Sequence, residues 1–132
     1  MLIRFIHLRI RSFKFAFSGW DYVIRTQKNA WIHAFASFTV AILAIWLKLG
    51  AIEWAILILT VSAVWMAEMI NTALEAVVDL ASPDNHPLAK VGKDVGAAAV
   101  LVGAFSAVLI GLLILGPPLY EKLIPMVAII LK

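Results

Sequence analysis

Residues 52–79 read IEWAILILTVSAVWMAEMINTALEAVVD, and this stretch decides the fold. It is apolar enough and long enough to cross a bilayer, yet it carries Glu53, Glu68 and Glu75 and ends on Asp79. Ionisable groups inside a spanning helix are costly to keep there and are functional candidates by default. They are not scattered. Glu68, Asn71, Glu75 and Asp79 are spaced by three, four and four residues. At about 100° per residue, Glu68, Glu75 and Asp79 fall within roughly 40° of one direction, with Asn71 about 60° to one side. The spacing predicts one polar stripe, with Thr72 on its flank and Ala, Val, Ile, Leu and Met elsewhere. Carboxylates lined up in this way repel unless a cation, a proton or a lysine stands among them.

The flanking sequence supplies the other spans. Between Lys28 and Lys48 no residue carries a formal charge, and the same holds between Asp94 and Glu121. At roughly 1.5 Å per residue the first run reaches about 28 Å, the thickness of a hydrocarbon core. The chain reads as three spanning helices at about 30–49, 52–78 and 93–116. Gly116-Pro117-Pro118 is expected to stop the third, because consecutive prolines lack amide donors. Residues 117–132 are then a tail. The first 29 residues interleave Arg4, Arg9, Arg11, Lys14, Arg25 and Lys28 with aromatic side chains. They lack the long apolar run and cleavage site of a signal peptide. A basic, aromatic stretch of this kind suits a helix lying in the headgroup region.

Composition agrees. The chain has 132 residues, 64% hydrophobic and 14% charged, with a mean hydropathy of +1.00. Ordinary soluble domains are about 45–50% apolar and about 25% charged. A soluble globular domain and a disordered tail are excluded, and the expectation is a single all-α integral membrane domain. There is no cysteine, so disulfides and thiolate metal sites are impossible. The net charge of +3 speaks for membrane topology, not nucleic-acid binding. Placing the N-terminal segment with Lys90 and Lys93 on one side gives eight basic residues there, against Lys48, Lys122 and Lys132 opposite. The bias predicts a cytoplasmic N-terminus and an external turn near Leu49-Gly50-Ala51.

Two features qualify the third span. Lys93 and Asp94 stand at its start, on the side toward which the stripe runs. Gly92, Gly96 and Gly103 with neighbouring alanines allow close helix approach. Three helices shelter a polar stripe poorly, so a homo-oligomer is expected. Nucleotide loops of the G-x-x-x-x-G-K-[ST] and G-x-G-x-x-G types, kinase H-R-D and D-F-G motifs and H-E-x-x-H zinc helices do not occur. His7, His33 and His86 share no metal-ligand spacing.

Glu68-Met69-Ile70-Asn71-Thr72-Ala73-Leu74-Glu75-Ala76-Val77-Val78-Asp79 resembles, at every position, the signature of the prokaryotic diacylglycerol kinase and undecaprenol kinase family. Lys93-Asp94-Val95-Gly96 is similar to the family's start of the last helix, and Asn29-Ala30-Trp31-Ile32-His33 to its approach to the first span. The resemblance covers about residues 8–115. It implies a homotrimer in the bacterial cytoplasmic membrane, with three spans and an amphipathic surface helix per chain. It implies transfer of a phosphate from ATP, with Mg²⁺, to a membrane lipid hydroxyl, undecaprenol or diacylglycerol. By position, Glu68 resembles the general base and Glu75 a Mg²⁺ ligand. Asn71, Asp84, Asn85, His86, Lys93 and Asp94 fall in the nucleotide site. Phe15 stands where a Tyr often contacts ATP. Gln27 stands where the family commonly has a second metal-binding Glu. The Asn29-x-x-x-His33 pattern resembles the undecaprenol branch. From the residues alone, a small ion-coupled transporter also buries a membrane Glu, and a non-catalytic subunit is a third reading.

Overall fold

A computed structural model describes the backbone at residues 2–82, 84 and 86–130, and side chains at 7, 9–82, 84 and 86–124. Four helices follow one another: α1 (Leu2–Thr26), α2 (Lys28–Trp46), α3 (Ala51–Ala81) and α4 (Pro87–Ile130). Among the described residues α2, α3 and α4 are long and apolar enough to cross a membrane. The all-helical, three-span architecture is the one the apolar runs predicted.

A single residue separates α1 from α2. Gln27 adopts an extended conformation (φ −100°, ψ 115°) and serves as the N-cap of α2 without a side-chain capping bond. Its amide side chain is therefore free to reach elsewhere. The turn from α2 to α3 is built by a C-terminal helix motif. Lys48 takes a left-handed φ of 57°. Its N–H donates to the Ile45 carbonyl (3.1 Å), and the Leu49 N–H donates to the Ala44 carbonyl (3.1 Å). These two bonds satisfy carbonyls that the helix end leaves open. The turn lies at 47–50, beside the place expected for it.

α3 and α4 run antiparallel in close contact. Going up the pair, Gly92 faces Val78, Gly96 faces Asn71 and Gly103 faces Val64. A Cβ on Gly96 would stand 2.3 Å from Asn71 Oδ1 and 3.1 Å from Leu74 Cδ2. A larger residue there would have to displace the Asn71 and Leu74 side chains. Farther along, Leu57 and Leu115 join Ala44 in a small buried cluster that brings α2 onto the pair. Large side chains such as Phe35, Phe38, Ile45, Leu101 and Leu113 face outward. Helices that are apolar all round suit a lipid environment.

The prolines do not end the last helix, contrary to expectation. α4 continues through Pro117 and Pro118 to Ile130. Contacts on both sides of the break hold it in line. Before the prolines Leu115 is locked in the buried cluster. Beyond them the Lys122 ammonium donates to the Trp46 carbonyl at 2.6 Å and sits 4.3 Å over the Trp46 ring. A cation at a helix C-terminus satisfies open carbonyls and the helix dipole together. Two lost amide bonds are tolerated when tertiary contacts fix both flanks.

Candidate active site

The stripe on α3 faces the other helices. Glu68 is 1% exposed, Thr72 4% and Asn71 7%. Glu75 is half-buried and Asp79 exposed. Exposure thus rises along one line, from a closed interior to an open end. The Thr72 hydroxyl donates to the Glu68 carbonyl at 2.8 Å, a bond within the helix that leaves the Glu68 carboxylate untouched.

Three groups form along the line. At the deepest, Glu68 Oε2 stands 3.6 Å from Nε2 of His33 on α2. Seven residues or about 10 Å along the axis, Glu75 receives two amide donors. Asn71 Nδ2 donates to its Oε1 at 3.1 Å, and Gln27 Nε2 donates to its Oε2 at 3.1 Å. The extended break at Gln27 is what brings α1 and α2 to α3 at this level. One further turn on, the Lys93 ammonium donates to both Asp79 oxygens, at 2.9 and 3.2 Å. Each carboxylate of the stripe thus faces a polar group from outside α3.

Beyond the ion pair opens a cavity of about 660 Å³, walled by Asp79, Ser82, Asp84, His86, Lys93 and Asp94. His86 precedes α4, and its Nδ1 accepts a bond from the Leu88 N–H (3.2 Å). It caps the helix whose first residue is Pro87, a position proline favours. Asp94 lines the cavity wall and pairs with Lys90 one turn earlier. The structure so brings together Gln27, Glu68, Asn71, Glu75 and Lys93 along the stripe, with Asp84, His86 and Asp94 at its mouth. Asn85 lies outside the described residues. Phe15 is exposed on α1, with the Arg11 guanidinium 5.4 Å from its ring, and is absent from the cavity wall.

Among the described residues no group of three or more His, Asp or Glu side chains is placed to hold a metal ion. The Asp79 carboxylate is engaged by Lys93. What remains is one carboxylate, Glu75, with the neutral oxygen of Gln27. Mg²⁺ is typically held by one or two carboxylates and keeps water and phosphate oxygens as its other ligands. The donor set fits that use. Glu75 accepts from two neutral amides, and the neighbouring Asn71 Oδ1 is buried with no partner.

Sequence reasoning missed the approach of His33 to Glu68. One signal was available: His33 is the only ionisable side chain in the run between Lys28 and Lys48.

Comparison with known proteins agrees with this arrangement. The chain is 44% identical over 114 residues to a diacylglycerol kinase of Synechocystis sp., covering 86% of this chain and 65% of that relative. It therefore spans just under two thirds of that protein's length. It is 41% identical over 109 residues to an undecaprenol kinase of Bacillus subtilis, covering 83% of this chain and 89% of the relative. To a diacylglycerol kinase of Escherichia coli K12 it is 40% identical over 89 residues, 62% and 73% of the two chains. The model of the family described as prokaryotic diacylglycerol kinase matches residues 14–115, a stretch holding the whole stripe and Lys93, and the chain belongs to that family.

Proposed function

We propose that the chain is a membrane lipid kinase that transfers the γ-phosphate of ATP to a lipid hydroxyl, with undecaprenol as the acceptor. The observation that carries this reading is the order along α3. A buried carboxylate, Glu68, lies deepest, then the amide-bonded Glu75, then the Asp79–Lys93 pair beside a polar cavity. A lipid arriving through the bilayer meets Glu68 first, and a nucleotide arriving from the aqueous side meets Lys93 first.

Phosphoryl transfer needs positioning and charge neutralisation more than covalent help. Glu68 takes the hydroxyl proton as the lipid oxygen attacks the γ-phosphorus. Lys93, at the mouth, neutralises phosphate oxygens. Glu75, with Gln27 beside it, would hold Mg²⁺, which would supply neutralisation of the phosphate charge. Asp84, Asn85, His86 and Asp94 border the nucleotide. The chain acts as a homotrimer in the cytoplasmic membrane, with α1 on the membrane surface and the cavity facing the cytosol. The one-sided stripe speaks against an ion-coupled transporter, which needs access from both sides.

The preference for undecaprenol rests on the Asn29-x-x-x-His33 pattern and on the likeness to a protein named undecaprenol kinase. Side-by-side turnover of undecaprenol and diacylglycerol by the detergent-purified protein tests it. Faster phosphorylation of undecaprenol is expected; a strong preference for diacylglycerol would overturn the substrate assignment.

A further inference from the structure

His33 lies outside the family signature on α3, yet its imidazole and the Glu68 carboxylate face each other in an enclosed pair. Their side chains are 12% and 2% exposed, with Nε2 and Oε2 3.6 Å apart. Both atoms are buried without a hydrogen-bond partner. An unpartnered buried polar group is costly, and more so when charged. Two such atoms facing each other just outside bonding distance satisfy one another if a proton lies between them. Catalytic hydrogen bonds are often long in the absence of substrate and tighten with it bound.

The surroundings leave few other roles for His33. Its ring stands edge-on to Trp65 at 6.2 Å. The Trp65 indole N–H donates to the Ser37 hydroxyl (3.2 Å), which itself donates to the His33 carbonyl (2.7 Å). From α1, Trp20 stacks on Trp65 at 4.6 Å. These contacts fix α2 against α3 at the level of the ring. On its other side His33 joins the wall of an apolar cavity of about 450 Å³ between α2, α3 and α4. That wall includes Val61, Val64, Ala104 and Val108 and carries no Asp, Glu, Lys or Arg. Among the described residues the ion-pair partner of His33 is Glu68.

We infer that His33 is a positioning residue for the phosphoryl transfer, receiving from Glu68 the proton that Glu68 takes from the lipid hydroxyl. The inference rests on the lipid kinase reading above. In the transfer, the hydroxyl O–H bond breaks, a bond from that oxygen to the γ-phosphorus forms, and the bond from the phosphorus to the departing ADP oxygen breaks. The proton passes to Glu68 and then from Oε2 to Nε2 of His33. Glu68 ends as a carboxylate, ready for the next hydroxyl, and His33 as an imidazolium that returns its proton to water between turnovers. A carboxylate this enclosed has no direct contact with water to discharge itself, and His33 provides the exit.

The test uses the full chain in detergent with ATP, Mg²⁺ and undecaprenol, comparing wild type with His33→Gln and His33→Ala. Both variants are expected to lose about ten-fold or more in kcat, with the KM for ATP within about two-fold of wild type because the nucleotide cavity lies about 10 Å or more away along α3. Free imidazole in the buffer is expected to restore part of the kcat of His33→Ala and none of the wild type's. Wild-type kcat in His33→Gln would overturn the proton route. So would loss of turnover in both variants that imidazole does not relieve, with ATP still bound. Should the wild type phosphorylate no lipid alcohol at all, the kinase reading fails and the proton route with it. An active wild type with indifferent His33 variants sinks the proton route alone.

Discussion

At the scale of single residues, the proposed metal role of Glu75 can be tested at position 27. Gln27 touches Glu75 through its amide at 3.1 Å, so a carboxylate at position 27 would meet Glu75 at the same place. Two carboxylates there repel each other when alone and share a cation when it is present. Gln27→Glu is expected to lower the Mg²⁺ concentration that gives half-maximal activity, measured by titrating Mg²⁺ at saturating ATP. An unchanged requirement would mean that position 27 does not touch the metal. The candidate residues were legible in the sequence because Glu68, Asn71, Glu75 and Asp79 follow helical spacing and lie in an otherwise apolar run. Their partners were not. His33 and Glu68 are far apart along the chain and meet only through the crossing of α2 and α3. Lys93 could be placed at the end of the bundle toward which the stripe runs but not assigned to Asp79 in particular, since the choice depends on the register of α4.

At the scale of elements, that register is held by Gly96. A methyl group there would overlap Asn71 Oδ1 and crowd Leu74, so the Asn71 amide that donates to Glu75 would have to shift. Overpacking of this kind costs about 1–3 kcal/mol. Gly96→Ala is expected to lower the thermal unfolding midpoint in detergent and to cut activity, because Asn71 also holds Glu75. Gly111→Ala is the control: nothing stands within 4 Å of its added Cβ, and stability close to wild type is expected. Equal effects of the two substitutions would show that α3 and α4 are not in this register. The spans themselves were readable from the charge-free runs. The continuation of α4 past Pro117 and Pro118 was not, since local rules favour a stop and the contacts that oppose it, Leu115 in the buried cluster and Lys122 on Trp46, are distant in sequence.

At the scale of the whole molecule, the placement of basic residues predicts which end of the bundle faces the cytosol. The chain has no cysteine, so single cysteines introduced at Lys48 and Leu88 report the two ends against a silent background. In intact cells a membrane-impermeant thiol reagent is expected to label the Lys48→Cys variant and spare the Leu88→Cys variant until the membrane is opened. The reverse pattern would put the cavity around Asp79 and Lys93 on the outer side, away from cytosolic ATP.

The central claim is that a buried carboxylate on α3 deprotonates a lipid hydroxyl in a reaction that consumes ATP. The most direct measurement follows labelled γ-phosphate into lipid, using purified wild type and Glu68→Gln with ATP, Mg²⁺ and undecaprenol. The account predicts labelled undecaprenyl phosphate from the wild type, and a loss of about 10²–10⁴ in kcat for Glu68→Gln with ATP still bound. Undiminished labelling by Glu68→Gln would contradict it.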